Sequence, residues 1–148
     1  MSQDARVTKD LIETLEDGRK GFAKAAEKLA DSDRSDLSAK MTEYSNQRAQ
    51  FSAELEALAA TYGDDIDEDG SVAAAAHRGW MAVKDALTGS SPQGVLDAAE
   101  QGEDHAVSEY EDALSKDISD GLRTVVQRQF TAIKQAHDDV KAMRELVS

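Results

Sequence analysis

The chain has 148 residues, which suits a single domain over residues 1–148 with a hydrophobic core. It contains no cysteine, so disulfides, thiolate metal sites and thiol nucleophiles are excluded. Its 30 acidic residues against 17 basic ones give a formal net charge of −13. Because phosphate binding needs a basic patch, we expect neither nucleic acid nor an anionic membrane as a partner. No apolar run approaches the ~20 residues of a membrane span and the N-terminus lacks an apolar signal core, so we expect a cytoplasmic protein.

Two long amphipathic helices are predicted in the first part of the chain. The first covers residues 8–29, with Thr8 as its N-cap and apolar residues three or four positions apart. The second covers residues 35–62, and its apolar stripe is interrupted at mid-helix by Gln47 and Arg48. The polar connection between the two helices is short, so we expect them to form an antiparallel hairpin.

An acidic loop and a shorter helix are predicted to follow. The loop, residues 63–71, clusters acids around a glycine, but it lacks the alternating register and the final glutamate of a calcium loop. We interpret it as the cap of an amphipathic helix over residues 71–87. This helix carries Trp80, which would pack on the bundle or anchor a partner, and His77, which we interpret as a surface or boundary histidine.

The last two predicted helices each place a titratable residue on an apolar stripe. The third covers residues 95–114, with Glu103 on its stripe, and the fourth covers residues 121–147, with His137 on its stripe. The short connection between them predicts a second antiparallel hairpin. The expected fold is therefore all-α: a four-helix bundle of two antiparallel hairpins, joined by a long crossover that carries the extra short helix.

Four polar residues are expected to face the core near the middle of this bundle: Gln47, Arg48, Glu103 and His137. A carboxylate on a buried stripe costs free energy unless it is paired, protonated or bound to a metal ion. The minimum chemistry is therefore an ion pair or a hydrogen-bond network that joins Arg48 or His137 to Glu103.

This architecture resembles the ferritin-like superfamily. Four segments also look like an uncharacterised bacterial family that is described as a four-helix-bundle domain of unknown function. They are LIETLEDGRKGFAKAAE, HRGWMAVKDALTG, EQGEDHA and QAHDDVKAMR. The superfamily resemblance implies a test for a metal site, since its metal enzymes take one glutamate and one Glu-x-x-His motif from each half of the bundle.

The match to that ligand pattern is partial. Glu103 stands seven positions before Tyr110, as the superfamily's glutamate commonly does, and His137 keeps the histidine of the fourth helix with Lys134 in place of the glutamate. On the second helix the two ligand positions hold glutamines, and on the first the corresponding position is Leu15, next to Glu16. The resemblance therefore implies a degenerate metal site.

The metal candidates that the resemblance leaves are Glu103 and His137. A small rotation of one helix would bring in the flanking candidates Glu16, Glu54, Glu100 and Asp104. We expect no cofactor, with iron, manganese or zinc as the alternative.

Three functions remain open. The first is a non-catalytic bundle that acts through its surface in a stress-associated or scaffolding role, as a homo-oligomer such as a dimer. The second is an iron- or manganese-binding oxidoreductase or iron-handling protein. The third is small-molecule binding in a gap beside Gly18, Gly21 and Gly102, although the same glycines would also permit close helix packing. No nucleophile–histidine–acid set and no phosphate loop is found, which favours the non-catalytic function and leaves the metal-binding oxidoreductase as the enzymatic alternative.

Overall fold

The computed structural model describes residues 3–61 and 91–147, and all regular structure in these two ranges is helical. The four helices are α1 (Gln3–Asp31), α2 (Ser35–Ala60), α3 (Pro92–Ser115) and α4 (Asp120–Val147). For these two ranges, the prediction of an all-α structure with four long helices is confirmed. The predicted helix 71–87, the acidic loop 63–71, and with them Trp80 and His77, lie outside the described residues.

The start of α1 corrects the predicted N-cap. Thr8 lies inside the helix, is fully buried, and donates its hydroxyl to the carbonyl oxygen of Asp4 at 2.7 Å. The apolar stripe continues upstream of Thr8, because Ala5 and Val7 are both buried. Because packing of Ala5 and Val7 stabilises an additional turn, the helix begins before Thr8, although a threonine at that position is typical of an N-cap.

α1 and α2 run in opposite directions. Residues 32–34 connect them, and Asp33 has a left-handed φ of 61°, which turns the chain back on itself. Three serines of α2, spaced seven residues apart, donate hydroxyl hydrogen bonds to α1. As the residue number of the serine rises, that of its partner on α1 falls, as expected for antiparallel helices. These bonds run from Ser38 to the Ala26 carbonyl (2.7 Å), from Ser45 to the Arg19 carbonyl (2.8 Å) and from Ser52 to the Glu16 carboxylate (3.1 Å).

α3 begins with a local cap, and α4 follows it after a short connection. The hydroxyl of Ser91 accepts from the backbone N–H of Gly94 at 3.2 Å, and Pro92 occupies the first turn, where it costs no hydrogen bond. Ahead of α4, the backbone N–H of Ser119 donates to the carboxylate of Asp4 at 2.9 Å. This bond ties the α3–α4 connection to the start of α1.

The helix pairs in contact are α1–α2, α3–α4, α1–α3 and α2–α4, so α2 and α3 face each other across the diagonal of the bundle. Two apolar clusters fill the interior, one at each end. One contains Leu29, Leu37, Val95 and Val140, and the other contains Val7, Leu55, Ala113 and Leu122. α2 therefore ends where α1 begins, whereas α3 begins at the opposite end. None of the four helices combines the length and apolar content needed to cross a lipid bilayer.

Candidate functional site

A buried ion pair joins α2 to α3 across the diagonal of the bundle. Arg48 is 1% exposed and Glu103 is 0% exposed. Nη1 of Arg48 donates to Oε1 of Glu103 at 2.5 Å, and Nη2 donates to Oε2 at 2.7 Å, so the contact is made at two points. Of the two partners expected for Glu103, the structure selects Arg48. The pair lies between the two apolar clusters and forms a polar layer there.

The walls around Arg48 explain how a guanidinium fits at this depth. A Cβ placed on Gly18 of α1 would stand 3.4 Å from Nη1 and 3.5 Å from Cγ of Arg48, which is van der Waals distance, so the arginine side chain packs directly against this position of α1. The ring of Phe22 lies with its centroid 5.1 Å from Cζ, which is a cation–π distance. Nε donates to the side-chain oxygen of Gln47 at 3.2 Å. Arg48 therefore fills the space beside Gly18, where a small-molecule gap was one expectation.

His137 does not belong to this layer, and its predicted place on the core stripe is wrong. The buried positions of α4 nearest to His137 are Ile133, Ala136 and Val140, so Ala136 takes the core position and His137 lies one residue around the helix. Its side chain is 19% exposed, and Nε2 lies 2.6 Å from Oδ1 of Asp104 in α3.

The imidazole of His137 also has a second acidic neighbour, because Nδ1 lies 3.2 Å from Oδ1 of Asp138. Burial lowers the pKa of His137, but the hydrogen bonds to Asp138 and Asp104 and their charges outweigh it, so the pKa is raised above 6.5. Gln47 likewise lies at the edge of the core, half-buried, which corrects its predicted inward position.

The flanking metal candidates each engage a different partner. Glu16 accepts from Arg19 and Ser52, Glu54 from Arg128 and Gln129, Glu100 lies 2.6 Å from Nε of Arg144, and Asp104 meets His137. The structure therefore does not bring these carboxylates together around Glu103. Lys134 is exposed and does not contact Glu103. Within residues 3–61 and 91–147, no three Asp, Glu or His side chains form a group that fits a metal ion.

The structure contains a second buried polar network, which the sequence analysis did not predict. The hydroxyl of Tyr110 donates to Oε1 of Gln129 at 2.7 Å, and Nε2 of Gln129 donates to Oε1 of Glu54 at 2.8 Å. Both Tyr110 and Gln129 are 0% exposed, and burial raises the pKa of Tyr110. The signal was present, because position 129 falls three after Val126 and four before Ile133 on the core stripe.

Two acidic residues of α1 are buried although they do not fall on the apolar stripe of the helix. Glu13 is 6% exposed and Asp17 is 2% exposed, and neither carboxylate lacks a partner. They lie on the side of α1 that faces away from the stripe of Leu11, Leu15 and Phe22. Helical periodicity assigns that side to solvent, so their burial shows that α1 is covered on more than its core face.

The family comparison covers both members of the ion pair. The family model for DUF2383, a domain of unknown function, matches residues 5–116, which include Gly18, Arg48 and Glu103 and stop before α4. A comparison with curated proteins found no match. The match confirms the expected resemblance to a family of unknown function, and the chain belongs to the DUF2383 family.

Proposed function

We propose that this protein is a non-catalytic, ferritin-like bundle in which the guanidinium of Arg48 stands beside Glu103 where the superfamily's enzymes hold a metal ion. The protein acts through its surface, in a scaffolding or stress-associated role in the cytoplasm. The observation that carries the proposal is the two-point contact between Arg48 and Glu103 at zero and near-zero exposure.

The arrangement of the helices supports the ferritin-like part of the proposal. α1–α2 and α3–α4 each have a short connection, and α2 ends at the opposite end of the bundle from the start of α3. Two hairpins joined by a long crossover require this relation between the helix ends. Residues 62–90 are the segment that joins them.

Electrostatics supports the metal-free part. The guanidinium already neutralises Glu103 and occupies both of its oxygens. A dication at the same place would have to displace Arg48 and leave it buried beside a second positive centre, which is costly at low dielectric. His137, the other candidate ligand, is engaged with Asp104 and Asp138 instead.

The first experiment is elemental analysis of untagged protein purified without chelator, followed by thermal unfolding with added iron, manganese or zinc. We expect far less than one metal per chain and no rise in Tm. A metal that bound the native state at 100 times its Kd would add about 2.7 kcal/mol, which for a chain of this size raises Tm by several degrees.

The opposite result would revive the alternative function. Near-stoichiometric iron or manganese that disappears in Glu103→Ala or His137→Ala would make this protein a metal-binding oxidoreductase or an iron-handling protein. Ser108→Ala serves as the matched control, since Ser108 is exposed on the same helix as Glu103.

A further inference from the structure

α2 and α4 lie beside each other along one side of the bundle. The contacts of Glu54 with Arg128 and of Tyr44 with Asp139 place a stripe of α2 beside a stripe of α4. Residues three, four or seven apart share one side of a helix. We call this surface the α2–α4 face and define it by Phe51, Glu54 and Leu58 on α2 and Arg128, Gln135 and Ala142 on α4.

Apolar side chains remain accessible along this face. Leu146, four residues after Ala142, is 87% exposed and is the one large apolar side chain exposed among residues 3–61 and 91–147. Phe51, Leu58 and Val125 pack against the core cluster but stay half-buried. Burying such surface is favourable in proportion to the area removed from water.

The charges of the α2–α4 face are of both signs. Lys40 lies 3.5 Å from Glu43, Arg128 pairs with Glu54, and Asp139 accepts from Tyr44 and Gln135. α3 is the opposite case, because between residues 92 and 115 it carries acids and neither lysine nor arginine. A two-fold contact sets a face against its own copy, so a face of one sign repels itself and a mixed face does not.

The size of the face is also sufficient. α2 has 26 residues and so runs for about 39 Å, and two neighbouring helices present a width of about 20 Å. Full overlap would cover roughly 800 Å² on each copy, which matches a stable interface of standard size. We propose that two copies of this chain form a two-fold symmetric dimer through the α2–α4 face. This inference rests on the proposed function only in that the bundle acts through its surface.

The test uses sedimentation velocity on full-length protein together with site-directed cross-linking. We expect a species of twice the 16.0 kDa chain mass. The double substitution Ala142→Glu with Leu146→Glu should weaken the dimer at least tenfold. The control, Ala23→Glu with Ser108→Glu, adds the same charge at exposed positions of α1 and α3 and should leave the dimer intact. Because the chain has no cysteine, a bis-maleimide reacts only with an introduced thiol. It should cross-link two copies of Gln135→Cys, which lies on the proposed interface, and not two copies of Ser108→Cys.

Every outcome decides the proposal. A monomer at millimolar concentration would refute it, and so would a dimer that the control pair weakens and the Ala142 and Leu146 pair does not. If the double variant loses its helical circular dichroism, cross-linking of Gln135→Cys decides alone. Metal content is measured separately, so a metal-free monomer would overturn this inference and leave the metal-free bundle standing.

Discussion

Replacing Arg48 with methionine is the sharpest test of the polar layer. Methionine keeps an unbranched chain beside Gly18 and Phe22, so packing changes little while the charge disappears. Glu103 is then left at 0% exposure without its two donors. The carboxylate must take up a proton or draw water into the core, and either process lowers the free energy of unfolding.

The magnitude follows from the burial of the pair. Removing one partner of a buried ion pair costs about 3–5 kcal/mol. Whole domains are stable by only ~5–15 kcal/mol, so this loss takes a large share of the total. At about 2–4 °C per kcal/mol for a chain of this size, Tm should fall by roughly 6–20 °C.

The assay is urea and thermal unfolding followed by circular dichroism, with Arg48→Met/Glu103→Leu as the matched control. The double variant removes both charges, so it should regain most of the loss and sit close to the wild type. A single variant as stable as the wild type, or a double variant less stable than the single one, would refute the reasoning.

Three further predictions follow from contacts described above. Gly18→Ala should be neutral or stabilising by up to about 1 kcal/mol, since helix propensity improves and the new Cβ is in van der Waals contact with Arg48, whereas Gly18→Leu should lower the urea midpoint clearly. Tyr110→Phe should cost about 1–3 kcal/mol in urea unfolding, because the buried oxygen of Gln129 loses its donor; no loss would contradict the network. The raised pKa of His137 gives stability that is present below pH 6.5 and lost as pH rises through the folded pKa, so the urea midpoint should fall across that range in the wild type and stay flatter in His137→Gln.

Helical periodicity correctly predicted that Glu103 and Arg48 are buried, but on α4 it selected a residue one position away from the buried one. The stripe of α3 placed Glu103 in the core, and the mid-helix break in α2 made Arg48 one of its two expected partners, of which the structure selects Arg48. The same reasoning chose His137, although Ala136 satisfies the spacing equally well and is buried at no electrostatic cost. Spacings of three or four residues allow either position 136 or position 137 between Ile133 and Val140. The structure buries the less polar of the two.

The remaining misses have different physical origins. Gln129 was overlooked because a polar residue was treated as a gap in the stripe, whereas Tyr110 and Glu54 satisfy its amide in the core. Glu13 and Asp17 face away from the apolar stripe of α1, so no pattern within that helix predicts their burial. Burial of that kind depends on tertiary contacts, which local periodicity does not encode.

The serines at positions 38, 45 and 52 have a consequence for the length of the chain. Each hydroxyl donates a hydrogen bond to a specific acceptor on α1, and the spacing of seven residues keeps all three serines on one side of α2. Inserting one residue between Ser38 and Ser52 would rotate everything that follows by about 100° and swing at least one hydroxyl away from α1. Relatives that keep these serines should therefore differ in length at residues 32–34 or beyond the helices, and not within α2.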